Sequence, residues 1–257
     1  MSGSEMAKVI AIFLGVFIVL IGSARLPAIC KIGEESRRKT LHIGAGILAM
    51  GLPALFERPT PVINLCGAVL AALMAMRFSK KRIYDADRIS YGELCIPVAV
   101  AFLFVASARD AVNYYVPLAI LTFADSAAAI VGQRLPSKRI SAATGEKTIA
   151  GSAAFFAVAF LVTLGSLTLF VGNVSGKSLV MALIVAFDLT VVEAVCRYGF
   201  DNLLVPIVGF LLLHTLRPAD AAEVTAYLIL AGMVAVFFAL QMSVRPAINR
   251  VKKTRAL

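Results

Sequence analysis

One carboxylate, Asp125, lies inside an apolar segment that runs from residue 112 to residue 133. An ionised side chain within a membrane span costs about 2.5–3.5 kcal/mol, so such a residue is a functional candidate. Ala128 and Gly132 follow Asp125 by three and seven positions, which predicts that they share its helical face. This small-residue face allows two interpretations. Either a ligand approaches the backbone beside the acid, or a neighbouring helix packs there and bonds to Asp125.

A basic loop follows this segment and ends where the next apolar run begins. The loop carries four cations: Arg134, Lys138, Arg139 and Lys147. The run after it opens with small or hydroxyl-bearing residues, namely Thr148, Gly151 and Ser152. A helix N-terminus with free N–H groups beside cations favours phosphate, and a carboxylate near bound phosphates is a natural ligand of Mg²⁺. The pattern therefore predicts a phosphate and metal site, but it is not a P-loop. The alternative is that these cations only mark a cytoplasmic loop.

Few other ionisable residues lie in or beside the apolar runs. They are His42, Glu93, Asp188, Glu193 and His214. We predict an interhelical hydrogen bond for Asp188. We predict no functional role for His214, because it closes its run at the opposite end from the polar motifs.

The composition indicates that membrane helices position these residues. Hydrophobic residues make up 60% of the 257 residues and charged residues only 16%, with a mean hydropathy of +0.89. A soluble protein of this length would not cover so much apolar surface. The runs are continuous instead of alternating, which favours helices over a barrel. We therefore predict an all-α, polytopic bundle that forms a single membrane domain over residues 1–257.

About nine apolar runs approach the length of a membrane span. They lie around residues 9–24, 41–56, 61–76, 94–107, 112–133, 148–172, 178–195, 202–216 and 224–243. Most of the 25 Lys and Arg residues fall in alternate loops, which predicts an outer N-terminus and a cytoplasmic C-terminus and argues against eight spans. The same placement of charge argues against nucleic acid as the partner. Residues 1–24 also fit a signal peptide, but a retained first span completes the alternation.

The motifs together resemble a known family. The order D-x-x-A-x-x-x-G, basic loop, K-T-x-x-G-S is similar to the signature of the membrane polyprenol kinases, which include dolichol, phytol and farnesol kinases and CTP-dependent diacylglycerol kinases. Three further stretches also resemble the family, the last two its phytol kinase branch: RRKTLHIGAG (37–46), SYGELCIPVAVAF (90–102) and VVEAVCRYGFDNLLVPIVGFL (191–211). The chain departs from the family pattern at Pro136 and Ala150, where the family has glycine and glutamate, and Glu146 stands in place of a lysine.

The resemblance implies transfer of the γ-phosphoryl group of a nucleotide, CTP in much of the family, to phytol, geranylgeraniol, farnesol or a polyprenol. It implies Mg²⁺ held by Asp125 and Asp201, with Asn202 orienting the metal or the base. The implied phosphate ligands are Gly132, Lys138, Arg139, Lys147, Thr148, Gly151 and Ser152, with further charge from Arg38 and Lys39. The general base is left open among Glu193, Asp201 and His42.

Other interpretations remain open at this point. Arg38 and Lys39 also fit an interfacial anchor, and Asp201–Asn202 also fits a helix cap. Two alternative functions are a membrane cytidylyltransferase that makes CDP-linked lipids and a small secondary transporter. The predicted location is a bacterial or archaeal inner membrane or an organellar membrane, with the site facing the cytoplasm. The sequence predicts no oligomeric state.

Overall fold

The computed structural model describes residues 3–30, 34–78, 91–139, 147–172, 175–230 and 232–233. The regular structure of these ranges is helical, apart from an isolated bridge between Arg139 and Thr148. The helices are α1 (Gly3–Cys30), α2 (Glu34–Met50), α3 (Leu52–Leu55), α4 (Pro59–Phe78), α5 (Gly92–Ala106), α6 (Ala111–Ala119), α7 (Asp125–Arg134), α8 (Ile149–Val171), α9 (Gly176–Val195), α10 (Asp201–Leu216) and α11 (Ala221–Leu230). A π-helical turn, Ile120–Ala124, joins α6 to α7, so Ala111–Arg134 is one continuous helix.

The predicted all-α class is confirmed. In the described ranges, four helices are long and apolar enough to cross a membrane: α4, Ala111–Arg134, α8 and α9. The apolar helices α5, α10 and α11 are shorter. These helices are compatible with a membrane bundle, while the count of nine and the orientation stay predictions. Much of the ninth predicted run, the basic tail and the basic loop from Lys80 to Arg88 lie outside the described residues.

The second predicted run, 41–56, differs from the structure because it is divided between α2 and α3 at Gly51. Pro53 has no backbone N–H and therefore leaves the carbonyl of Ala49, four residues earlier, without its helical donor. The hydroxyl of Tyr114 donates to that carbonyl at 2.7 Å, and both residues are buried. The helix break is thus satisfied by a tertiary hydrogen bond from α6.

The helix Ala111–Arg134 is the centre of the packing and the most buried of the four long helices. One face contributes Val112, Val116 and Ile120 to a core shared with α8, α9 and α10. Another face contributes Tyr114 and Leu118 to a second core shared with α4 and α5. Because this helix also carries Asp125, the acid lies deep within protein and away from lipid.

Candidate functional site

The π turn Ile120–Ala124 ends immediately before Asp125, the first residue of α7. Pro117 lacks a backbone donor and weakens the regular hydrogen-bond ladder just before this turn. Within the turn, the hydroxyl of Thr122 donates to the carbonyl of Leu118 at 2.7 Å. Turns of this kind are frequent at functional sites. Asp125, only 6% exposed, therefore follows a local irregularity in an otherwise regular buried helix.

Three acidic residues from three helices meet at this point. Asp125 begins α7, Glu193 lies in the last turn of α9, and Asp201 begins α10. Each offers one carboxylate oxygen, and these oxygens lie within 4.8 Å of one another. Glu193 is 2% exposed, and its Oε2 has no hydrogen-bond partner among the described residues. The structure thus brings together three of the acids that the sequence singled out.

Two lysines neutralise much of this negative charge. Lys39 Nζ donates to Asp125 Oδ2 at 2.5 Å, in a pair that is buried on both sides. Lys147 Nζ donates to Glu193 Oε1 and, at 3.1 Å, to Asp201 Oδ2. Burial alone lowers the pKa of Lys147, but Asp201 and Glu193 outweigh burial and raise the pKa above its ordinary value. Lys147 is therefore charged at neutral pH. We refer to Lys39, Asp125, Lys147, Glu193 and Asp201 as the acid–lysine cluster.

One face of α2 fits against the π turn and Asp125 through three residues at helical spacing. Lys39 bonds to Asp125, and His42 Nε2 donates to the carbonyl of Leu121 at 2.8 Å. A Cβ atom on Gly46 would overlap the side chain of Thr122, so the close approach of the two helices requires glycine there. Lys39, His42 and Gly46 therefore lie on one face of α2, and this face packs on the π turn and on Asp125.

The other basic residues of α2 divide between buried and exposed positions. His42 Nε2 lies 3.6 Å from Asp125 Oδ2, so the ring borders the acid as well as the turn. Arg38 is exposed, whereas Arg37 is buried beside it. The sequence pattern singled out Arg38 and passed over Arg37, because two adjacent arginines give no periodic signal to choose between them.

The start of α8 differs from the predicted phosphate site. The N–H of Ile149 donates to the carbonyl of Lys138, and the N–H of Ala150 donates to the hydroxyl of Ser137. Thr148 caps the helix by accepting the N–H of Gly151 at 3.1 Å. The first three amides of α8 are therefore bonded within the protein instead of free for an anion. Ser137, which the sequence reasoning did not single out, supplies one of these bonds.

The loop before α8 keeps its charge at the surface. Lys138 and Arg139 are both exposed, so their side chains remain available to an anionic ligand. Ser152 is different, because its buried Oγ has no hydrogen-bond partner among the described residues. Glu146, which stands where the family has a lysine, lies outside the described residues.

The small-residue face of α7 is a helix contact instead of a ligand surface. A Cβ on Gly132 would lie 2.8 Å from Thr148 Oγ1, and one on Gly151 would lie 2.9 Å from the carbonyl oxygen of Ala128. These distances are too short for any side chain, so α8 packs directly on the backbone of α7. Gly132 and Gly151 therefore position the loop and Lys147. They leave no space for a ligand between them.

Asn202 also has a structural contact. Its Nδ2 donates to the carbonyl of Gly92 at 3.0 Å, which fixes the start of α10 to the start of α5. The segments before these two helices are also joined, because the N–H of Tyr91 donates to the carbonyl of Tyr198 at 2.7 Å. Asn202 thus joins two helices, while its predicted role in orienting a metal or a base stays a prediction.

Three further ionisable residues are not part of the acid–lysine cluster. Glu93 opens α5 beside Arg77, with 3.7 Å between the charged atoms. Asp188 on α9 is partly buried and makes no hydrogen bond with the residues that the structure describes, so its predicted interhelical bond is not found there. His214 stacks on Phe210 near the opposite end of α10, away from the polar motifs as predicted.

No protein-family model, curated protein or solved structure matches this chain. A functional assignment therefore depends on the chemistry of the acid–lysine cluster and on the motif resemblance.

Proposed function

We propose that the chain is a membrane lipid-alcohol kinase of the polyprenol kinase type. It would transfer the γ-phosphoryl group of a nucleoside triphosphate, CTP by the resemblance, to an isoprenoid alcohol such as phytol, geranylgeraniol, farnesol or a polyprenol. The observation that carries the proposal is the acid–lysine cluster. It gathers Lys39, Asp125, Lys147, Glu193 and Asp201 from three of the motif stretches, far apart in the chain, into one place.

The donor set of the cluster fits Mg²⁺. Asp125, Glu193 and Asp201 offer hard carboxylate oxygens within 4.8 Å of one another, and Mg²⁺ is held by such oxygens together with substrate phosphates. Glu193 Oε2 is a buried acceptor without a partner among the described residues, a position that a proton would satisfy. When bound, the ion would supply positive charge that neutralises the phosphate oxygens of the substrate. Asp125 and Asp201 would hold the ion, as the resemblance implied, and Glu193 beside them would be left to take a proton.

The two lysines supply positive charge that the protein holds in position before substrate binds. Lys147 bonds to Glu193 and Asp201 through a side chain that is only partly buried, so it lies at the accessible side of the cluster. The ammonium group is placed to turn from a carboxylate to a phosphoryl oxygen. It would there stabilise the negative charge of the transition state. Lys39 is buried against Asp125 and fixes the orientation of that carboxylate.

Among the three candidate bases, the hydrogen bonds favour Glu193. Both oxygens of Asp201 already accept hydrogen bonds, one from Lys147 and one from the backbone of Asn202. His42 uses Nε2 to donate to a backbone carbonyl. Glu193 Oε2 alone among these acceptor oxygens has no partner in the described region. In the proposed step the lipid hydroxyl attacks the γ-phosphorus, its proton passes to Glu193, and the bond to the β-bridging oxygen breaks to release the nucleoside diphosphate.

The proposed placement in the membrane follows the positive-inside rule. The cluster lies at the helix ends that meet the basic loop Arg134–Arg139, and such loops face the cytoplasm, where nucleotide is available. Nine spans with an outer N-terminus would give this orientation. A bacterial or archaeal inner membrane or an organellar membrane would then present the alcohol between the helices and the nucleotide from the aqueous side.

The test is an assay of the full chain, purified in detergent, with Mg²⁺ and nucleotides labelled in the γ-phosphate. Phytol, geranylgeraniol, farnesol, a polyprenol and diacylglycerol serve as acceptors, and the proposal predicts a labelled lipid phosphate together with a nucleoside diphosphate. Release of pyrophosphate would instead indicate a cytidylyltransferase, and no labelled lipid with any acceptor would contradict the proposal. Asp125→Asn should preserve expression and lower turnover by about 10²-fold or more, as expected when a preorganised charge is lost.

A further inference from the structure

A second polar site lies at the opposite end of the bundle from the acid–lysine cluster. It is a cavity of about 750 Å³, within the size range of ligand pockets. Its walls come from the ends of five helices: Ser107 after α5, Asp110 before α6, Val171 in α8, Lys177 in α9 and Arg217 after α10.

The distance between the two sites is close to the thickness of a membrane. α9 runs from the cavity at Lys177 to the cluster at Glu193, and α10 returns from Asp201 to Arg217. At about 1.5 Å per residue, each path spans about 24 Å. The hydrocarbon core of a bilayer is about 30 Å thick. In a membrane bundle the cavity would therefore open near the surface opposite the cluster.

Asn113 gives the cavity an acceptor without a donor. The residue lines the cavity and is 6% exposed, and its Oδ1 has no hydrogen-bond partner among the described residues. Asp110 caps α6 by accepting the backbone N–H of Asn113 at 2.9 Å, so the side chain of Asn113 takes no part in the cap. Leaving a buried acceptor without a donor is unfavourable, and a ligand that donates a hydrogen bond removes this penalty.

Lys177 gives the cavity its net positive charge. Arg217 Nη1 donates to both carboxylate oxygens of Asp110 at 2.7 Å, which neutralises that pair. Lys177 Nζ donates to the carbonyls of Arg217 and Ala219 at 2.7 and 2.6 Å. An ammonium has three donors, so one donor and the full charge remain for an anion.

The rest of the lining is apolar. Leu167, Met181 and Leu213 are buried in the walls, whereas Val171 is largely exposed at the end of α8. A cation, an orphaned acceptor and apolar walls at a membrane surface match an amphiphile with an anionic group and a hydrogen-bond donor. We infer that this cavity binds a glycerophospholipid headgroup, with the phosphate toward Lys177 and a headgroup hydroxyl or ammonium donating to Asn113.

The test compares three lipids with identical acyl chains by native mass spectrometry of the full chain in detergent. Phosphatidylethanolamine and phosphatidylcholine have the same net charge, but only the first has a headgroup donor, so it should bind about tenfold more tightly, as one satisfied buried acceptor allows. Phosphatidylglycerol carries a donor and a net negative charge, so it should bind more tightly still. Equal binding of all three lipids would overturn the inference.

Two variants separate the contributions. Asn113→Leu should abolish the preference for phosphatidylethanolamine over phosphatidylcholine, and Lys177→Met should abolish the preference for phosphatidylglycerol over phosphatidylethanolamine. Each result is a ratio between lipids on one variant, so a change in stability does not imitate it. Unchanged ratios in both variants would refute the assignment, as would displacement of phosphatidylglycerol by an equal concentration of glycerol 3-phosphate.

The control is Asp125→Asn, at the other end of the bundle. It should leave all lipid ratios unchanged while it removes phosphoryl transfer. The cavity inference therefore stands or fails separately from the proposed kinase activity.

Discussion

Lys147 Nζ donates to two carboxylates at once, Glu193 Oε1 and Asp201 Oδ2. These three residues come from the loop before α8, the end of α9 and the start of α10. The lysine therefore joins three elements and also neutralises two acids that would repel each other in its absence. Stability and the proposed chemistry depend on the same ammonium.

Lys147→Met is expected to destabilise the fold as well as to abolish turnover. Removing one partner of a largely buried ion pair leaves an uncompensated charge and costs about 3–5 kcal/mol. The pKa of Lys147 is raised in the fold. Its stabilisation is therefore fully present below the ordinary lysine pKa of about 10.4 and is lost only as pH rises through the higher folded value. Thermal unfolding in detergent at neutral pH measures the change.

A double variant provides the control for Lys147. Combining Lys147→Met with Glu193→Gln removes one of the two uncompensated acids, so it should recover part of the lost stability without recovering activity. Additive losses in the double variant would show that the two side chains do not interact.

Glu193→Gln is expected to reduce kcat by about 10²–10⁴-fold, the range for loss of a general base. The amide keeps the size of the side chain and an acceptor for Lys147 but no longer takes a proton. Steady-state kinetics with the best alcohol acceptor measure the effect, and KM for nucleotide indicates whether binding changed as well.

Asp188→Asn is the matched control for Glu193→Gln. Asp188 lies five residues earlier on the same helix, is partly buried, and is not part of the cluster. This variant should retain turnover close to that of the wild type. A loss of kcat equal to that of Glu193→Gln would mean that α9 tolerates no change of charge, and it would remove the argument for Glu193 as the base.

The sequence was sufficient to predict the all-α class and to single out the acids that meet in the cluster, for a physical reason. Continuous apolar runs indicate apolar helices directly, and an acid such as Asp125 or Glu193 in such a run is costly enough to be a functional candidate. Both signals are local. They require no knowledge of which helix packs on which.

The sequence was not sufficient to predict the contacts that complete the site. The π turn before Asp125 shifts the helical phase, so spacing across it does not report a shared face. Ala128 and Gly132 fitted a ligand surface and a helix contact equally well, and only the packing of α8 on α7 distinguishes the two. The amides of α8 are bonded by Ser137 and Lys138 from an irregular loop, and no periodic pattern reports such a bond.

Gly151→Ala is expected to destabilise the fold by about 1–3 kcal/mol, the usual cost of overpacking. The new methyl group would lie 2.9 Å from the carbonyl oxygen of Ala128, which is backbone and does not rotate away. Pushing α8 off α7 also moves Lys147, so turnover should fall together with the thermal midpoint.

Gly165→Ala on the same helix is the control for Gly151→Ala. A Cβ there meets no described atom within 4 Å, so it should be neutral or slightly stabilising, because alanine favours helix. If the two variants unfolded at the same temperature, the contact between α7 and α8 would not be tight, and its role in positioning Lys147 would be wrong.

The ion pair between Asp110 and Arg217, at the cavity end, predicts a dependence of stability on acid pH. Burial raises the pKa of Asp110, but hydrogen bonds from Arg217 and from the N–H of Asn113 outweigh it, and the pKa lies below its ordinary value. A carboxyl with a lowered pKa stabilises the fold above its unfolded pKa, about 3.9, and loses that contribution as pH falls through the folded value. The difference in thermal midpoint between wild type and Asp110→Asn should therefore be constant from neutral pH to about pH 5 and shrink below about pH 4. Asparagine still caps α6, and in an Arg217→Met background the same substitution should have a much smaller effect at every pH. A difference that grew on acidification would show that Asp110 is not held ionised by Arg217.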